Sequence, residues 1–205
     1  KAISAANLEN NDADKQLREF LILFPNDAKK NDAYFNLANF YQRQNNFVDA
    51  IQTYKEIEVG SLTKEQKQEY NYKLGYCYFN TGDYTTAKSY FVAVKDTRSK
   101  YSSPSTYYNA HILYSEKKYD VALKEFKSLQ KDNNFKGIVP YYISQIYYLQ
   151  GNYQELVKQA PELSKLSSSK RTNETNRMLG EAYCKLERYD EAIEYLEKGV
   201  QNNEA

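Results

Sequence analysis

Glycine and proline are scarce, at seven and four in 205 residues. A turn-dense sandwich or barrel needs far more chain reversals than these supply, so the shortage predicts long uninterrupted helices. Histidine occurs once, as His111. That leaves no multi-histidine metal set and no Ser-His-Asp constellation to assemble, and there is no P-loop, dinucleotide fingerprint or zinc spacing. Neither sign of charge is in excess: 28 Lys and Arg against 27 Asp and Glu give a formal net charge of +1. The basic footprint of a non-specific nucleic-acid binder is therefore missing. No run approaches the roughly 18 to 20 apolar residues of a membrane span, and Lys1 to Asn11 has no signal-peptide core. The chain begins at Lys1 rather than Met, so composition leaves the compartment open.

What is present is large apolar side chains. With 41% hydrophobic residues, 22 Tyr and 9 Phe, the chain is too rich in them to stay disordered, and its length suffices for a sizeable core. Those residues are laid out periodically. A small residue recurs at Ala38, Gly75, Ala110, Ser144 and Gly180, and twelve residues after each comes Ala50, Ala87, Ala122, Leu156 and Ala192. An aromatic precedes each second member by three: Phe47, Tyr84, Tyr119, Tyr153 and Tyr189. The second members are separated by 37, 35, 34 and 36 residues, the period of helix-turn-helix solenoids.

Within a unit, Tyr34, Leu37, Ala38 and Tyr41 fall at helical spacing, and Ala50, Tyr54 and Ile57 do so again. Between the two helices lie the polar pairs Asn45-Asn46, Gly82-Asp83, Lys117-Lys118, Gly151-Asn152 and Glu187-Arg188, suited to ending one helix and starting the next. Small residues where the helices cross let their backbones approach, and the aromatics fill the surrounding volume. Helix starts are predicted near Asp32, Glu69, Pro104, Val139 and Glu174, with Ser103 as N-cap before Pro104. Ala13, Leu17, Phe20 and Pro25 match the second helix of a partial leading unit. Pro161, inside the second helix of the fourth unit, is predicted to kink or shorten it.

This pattern resembles the tetratricopeptide repeat (TPR) over nearly the whole chain. The implied fold is all-α, a right-handed superhelical solenoid of helix pairs. It divides into a partial leading repeat at 1–30, repeats at 31–67, 68–102 and 103–136, a degenerate repeat at 137–172 and a fifth at 173–205. Both ends look cut from a longer array. Phe24-Pro25-Asn26-Asp27, the run Lys73-Leu74-Gly75-Tyr76-Cys77-Tyr78-Phe79 and Val139-Pro140-Tyr141-Tyr142-Ile143 resemble the N-terminal part of long multi-repeat TPR proteins of bacterial envelopes. That resemblance favours a periplasmic or outer-membrane-associated setting. Cys77 and Cys184, three repeats apart, would be about 50 Å distant on the packing of such helices, beyond the roughly 7 Å that a disulfide spans. Buried thiols packed as small apolar groups are the expectation.

The resemblance also implies a binding face, because the first helices of TPR pairs line the concave side. Positions three before, one after and four after the small residue make a stripe there. It holds Phe35, Asn39 and Gln42; Tyr72, Tyr76 and Phe79; Tyr107, His111 and Tyr114; Tyr141, Gln145 and Tyr148; and Arg177, Glu181 and Cys184. Eight of the first twelve are aromatic, which suits an extended peptide or a glycan; the alternative is that the rings pack on one another across neighbouring units. The Lys and Asn or Arg clamp that grips a C-terminal carboxylate is absent from the matching places, where Phe35, Tyr72, Lys73, Pro104, Tyr107 and Tyr108 stand instead. The reading is a scaffold with a protein or peptide partner, no catalytic residues, no cofactor and no metal. Two alternatives stand beside it: the recognition arm of an enzyme or glycan-binding protein, and a pentatricopeptide-like RNA binder, which the near-neutral charge disfavours.

Overall fold

The computed structural model describes residues 12–164 and 169–201. All regular structure among them is helical: α1 Ala13–Leu23, α2 Lys30–Arg43, α3 Phe47–Lys55, α4 Lys64–Asn80, α5 Tyr84–Lys95, α6 Ser102–Ser115, α7 Tyr119–Ser128, α8 Val139–Leu149, α9 Tyr153–Lys158, α10 Ala160–Leu163, α11 Ser169–Lys185 and α12 Tyr189–Gln201, with one 3-10 turn at Val59–Ser61. The chain forms two compact units, one up to Asn109 and one from Ala110, the division falling inside α6. In the first unit α1 packs on α2, α2 on α3, α3 on α4 and α4 on α5; in the second, α8 packs on α7, α9 and α11, and α11 on α12.

The five polar pairs do what their chemistry allows. The first member of each has a positive φ: Asn45 at 58°, Gly82 at 83°, Lys117 at 59°, Gly151 at 68° and Glu187 at 59°. That left-handed residue folds the chain back onto the helix it has just left. The amides of Asn46, Asp83, Lys118, Asn152 and Arg188 then donate to the carbonyls of Tyr41, Tyr78, Leu113, Tyr147 and Tyr183, at 2.8–3.0 Å. The result is a Schellman stop repeated five times. Three of the second members start the next helix: the side chains of Asn46, Asp83 and Asn152 accept from the amides of Asp49, Thr86 and Glu155.

Helix starts differ from the sequence reading in three places. α4 begins at Lys64, five residues before Glu69, because Thr63 and Gln66 form a reciprocal capping box. α11 already includes Ser169. α6 begins at Ser102, so Ser103 lies within the helix rather than capping it. Pro161 acts as expected: α9 stops at Lys158, and four residues from Ala160 to Leu163 form a separate short helix with the proline at its start. The leading helix covers Ala13–Leu23 with Leu17 fully buried; residues 1–11 of the partial repeat lie outside the described residues, as do 165–168 of the fourth repeat and 202–205 of the fifth.

The periodic small residues sit at crossings. Ala38, Ala50, Ala87, Ala110, Ala122, Ser144 and Leu156 have no exposed surface. A Cβ on Gly75 would lie 3.0 Å from Tyr90 Cβ, and one on Gly180 would lie 2.5 Å from Leu196 Cγ, so α4 meets α5 and α11 meets α12 at close range. A second device recurs outside the crossing. The cations five residues after Ala13, Ala50 and Ala122 lie over the ring three residues after the next small residue: Arg18 over Tyr41 at 5.4 Å, Lys55 over Tyr78 at 5.7 Å and Lys127 over Tyr147 at 5.3 Å.

Candidate functional site

The stripe of candidate residues falls into two parts, one in each unit. In the first, α2 carries Phe35 and Asn39, α4 carries Tyr72, Tyr76 and Phe79, and α6 carries Tyr107. All six are half-buried. Asn39 Oδ1 accepts from Lys73 Nζ at 2.5 Å and from the Tyr54 hydroxyl at 2.7 Å. Lys73 also pairs with Glu69 at 3.2 Å and lies 5.8 Å from the Phe35 ring, which meets Tyr54 edge-on at 5.6 Å. Burial pulls the Lys73 ammonium below its ordinary pKa, and Glu69 works against that pull.

Tyr72 and Tyr76 lie with ring centroids 6.5 Å apart, and Tyr108 touches both, at 6.5 and 5.4 Å. Tyr108 also meets Phe79 at 5.0 Å and Tyr107 at 5.3 Å, and stacks on Phe91 at 5.3 Å. Tyr101 stacks on Tyr72 at 5.2 Å. Burial, with the neighbouring Tyr76 second, pushes the Tyr72 phenol up to about 12. The rings of this face are therefore knit to one another through Tyr108 and Tyr101, neither of which belongs to the stripe. The signal for Tyr108 was its place two residues before Ala110, because Tyr142, two before Ser144, repeats the arrangement in the second unit. Tyr142 stacks on Phe126 at 5.0 Å with the planes 5° apart, and meets His111 at 5.4 Å and Tyr114 at 5.9 Å.

In the second unit the stripe is a ladder of hydrogen bonds. The Tyr114 hydroxyl donates to Gln145 Oε1 at 2.6 Å. Gln145 Nε2 donates to the Tyr141 hydroxyl oxygen and to Glu174 Oε1, both at 2.6 Å, and the Tyr141 hydroxyl donates to Glu174 Oε2 at 2.5 Å. The Tyr148 hydroxyl donates to Glu181, whose other oxygen takes Arg177 at 2.6 Å. The pairs Tyr114–Gln145, Tyr141–Glu174, Gln145–Glu174 and Tyr148–Glu181 stand 29 to 33 residues apart along the chain, so they join neighbouring first helices. Burial and then Glu174 push the Tyr141 phenol up, whereas for Tyr148 the bond to Glu181 is the main cause. Burial lowers the pKa of His111, favouring its neutral form. From the sequence Glu174 marks only a helix start; the signal for its role was Glu69, the equivalent residue six before Gly75, which likewise bonds a phenol, that of Tyr101.

Among the described residues no three His, Cys, Asp or Glu side chains come together as a metal site, and no helix is long and apolar enough to cross a membrane. The Cys77 thiol is buried and pushed up to about 12 by that burial. Cys184 corrects the expectation of two buried thiols: it is exposed. What both faces offer is aromatic area edged by amide, phenol and carboxylate groups.

Comparison with known proteins accords with this geometry. Models of the tetratricopeptide repeat match residues 33–60, 68–100 and 174–205. No curated protein matches the sequence. Among solved structures, the crystal structure of MamA superposes with a TM-score of 0.67 at 18% identity, covering 82% of this chain and 95% of that one. MamA (residues 41 to the end) from Desulfovibrio magneticus RS-1 gives 0.69 at 18%, covering 85% and 95%. The structure of YrrB, described as a TPR protein with an unusual peptide-binding site, gives 0.70 at 16%, covering 89% and 91%. At such identities the likeness establishes the fold.

Proposed function

We propose that this tetratricopeptide-repeat protein, an interaction scaffold by its fold, holds extended peptide segments of a protein partner against the first-helix face of each of its units. In the first unit the contacts are Phe35, Asn39, Tyr72, Tyr76, Phe79 and Tyr107, and in the second His111, Tyr114, Tyr141, Gln145, Tyr148 and Arg177. The observation that carries the reading is that the aromatic side chains of these faces stay half-exposed although they are pinned in place. Rings fixed by stacking and by phenol hydrogen bonds lose little further entropy on contact, which is what makes tyrosine an efficient anchor. The neighbour YrrB, with its peptide-binding site, supports the same use of the fold. The scaffold turns over no substrate. Assembly of a bacterial envelope complex is the setting that the resemblance of Phe24–Asp27, Lys73–Phe79 and Val139–Ile143 suggests.

The test is partner capture by wild type and by a Tyr72/Tyr76/Tyr107 triple Ala variant, with charge reversal at the exposed Glu194 as control. Truncating desolvated aromatic anchors costs about 2 kcal/mol or more of binding, and rim charges cost little. Loss of the captured partners by the triple variant, with helicity kept and the Glu194 variant unchanged, is the expected outcome. Equal capture by a folded triple variant would move the function away from this face.

A further inference from the structure

We propose, resting on the peptide-binding reading above, that the second unit seats a lysine side chain of the partner at Glu174, where the tyrosine ladder meets a cavity between α11 and α12. The cavity, about 430 Å³, is lined by Asn173, Glu174, Arg177, Leu196, Gly199 and Val200. Gly199 sets its floor, since a Cβ there would already lie 3.7 Å from the Arg177 amide nitrogen and the Asn173 carbonyl oxygen. The two walls differ in chemistry. α12 contributes Leu196 and Val200, the latter 62% exposed, and α11 contributes Glu174 and Arg177.

Arg177 is already committed, 2.6 Å from Glu181. Glu174 is held by neutral donors among the described residues, the Tyr141 hydroxyl at 2.5 Å and the Gln145 amide at 2.6 Å. Its charge contributes to raising the phenols of Tyr141 and Tyr114, after burial as the main cause. A carboxylate with no ion pair among the described residues, beside an apolar trough, suits a side chain with a long hydrocarbon stem and a charged tip: the stem covers Leu196 and Val200 and the tip reaches Glu174. The Tyr141 ring already lies under Arg171 at 5.7 Å, so the anchor is the carboxylate rather than that ring. Each oxygen of Glu174 already accepts one bond, which leaves one acceptor site on each, and an ammonium, a point charge with rotatable donors, can use either.

The test uses pools of acetylated, amidated nonapeptides, random except for a central lysine, norleucine or glutamate, titrated against wild type, Glu174→Gln and Val200→Lys. Norleucine keeps the stem and removes the charge. Wild type should prefer the lysine pool over the norleucine pool by about tenfold, with the glutamate pool weakest. Glu174→Gln should abolish that preference while keeping the norleucine affinity, and Val200→Lys, at an already exposed position, should abolish it by supplying a competing cation. If lysine and norleucine pools bind wild type alike, or the preference survives Glu174→Gln, the lysine seat is wrong and the peptide-binding reading stands. If no pool binds, both fall together.

Discussion

The Lys73 ammonium lies 2.5 Å from the Asn39 amide oxygen, tying α4 to α2 across 34 residues of sequence. The hydroxyl of Tyr54, a side chain with no exposed surface, donates to the same oxygen at 2.7 Å and lies 3.4 Å from Gln42 Oε1. Asn39 therefore serves the fold before it serves any partner. Asn39→Ala leaves Lys73 with Glu69 alone and the Tyr54 hydroxyl with only its longer contact to Gln42, and should cost about 1 kcal/mol, whereas Asn39→Asp, which keeps both acceptor roles, should stay near wild type. Urea unfolding followed by helicity reads the difference. An Ala variant as stable as wild type would mean that water replaces both bonds.

The left-handed turn residues make a paired test. A Cβ on Gly82 meets nothing within 4 Å, yet φ is 83°, so Gly82→Ala should lose stability through the backbone alone, by about 1 kcal/mol. Lys117 occupies the equivalent place at φ 59° and already bears that strain. Lys117→Gly should gain a few tenths of a kcal/mol to about 1, the relief being partly offset by the entropy of the glycine. Melting temperatures moving in opposite directions are expected; movement in the same direction would contradict the turn geometry.

The helix pairs and their crossings were legible because they rest on rules that a sequence displays directly: a small residue, a polar pair and an aromatic at fixed offsets. Ala38, Ala50, Gly75 and Ala87 could be placed at buried crossings before any coordinates. The candidate faces were only half legible. Tyr72 and Tyr76 could be placed on one helix face, but their ties to Tyr101 and Tyr108 depend on how one repeat leans on the next, which offsets within a repeat do not encode. Glu174 and Lys73 were hidden for a related reason: a charged residue on a helix reads as solvated, and only packing shows that its partners are a phenol and an amide. Cys184 was misjudged because its repeat position is Gln42 or Phe79 elsewhere, and only the packing of α11 shows which way it faces.

The two thiols should be chemically distinct. Cys77 is buried with its pKa raised to about 12, while Cys184 is exposed; the thiolate is the reactive species. At neutral pH a disulfide reagent should titrate one thiol per chain, lost on Cys184→Ser, and the second only after denaturant is added. Two fast thiols in the native protein would mean that α4 opens readily.

Ser144 stands where the other four of the five repeats have a buried Ala or Gly, Ala38 and Gly75 in the first unit and Ala110 and Gly180 in the second. Its hydroxyl oxygen is buried without a hydrogen-bond partner among the described residues. An unsatisfied buried hydroxyl costs about 1–3 kcal/mol, and alanine fits the same space. Ser144→Ala should therefore stabilise the second unit by about 1 kcal/mol, measured as a higher urea midpoint. A lower midpoint would show that the hydroxyl is satisfied in solution, by water or by its own helix.

The phenols fix how the protein should respond to alkali. Tyr70 and Tyr72 are raised from an ordinary value of 10.0 to about 12, mainly by burial, and Tyr54, Tyr101, Tyr108 and Tyr141 are raised as well. A group whose folded pKa lies above its unfolded value binds its proton more tightly in the native state. Its stabilisation is fully present below about pH 10 and is lost as pH rises through the folded value. Lys73 runs the other way, since its pKa is lowered from 10.5 and stability therefore rises as it deprotonates, but it is one group against several phenols. Helicity should hold to about pH 10 and collapse on the approach to 12, with phenolate absorbance rising in step rather than ahead of it. Tyr72→Phe should shift the collapse upward, because a ring that cannot ionise keeps its stacking on Tyr101. Phenolate appearing in full near pH 10 with helicity unchanged would mean that the rings of both faces stand free in solvent, and the pinned anchors on which the proposed partner recognition rests would be lost with that result.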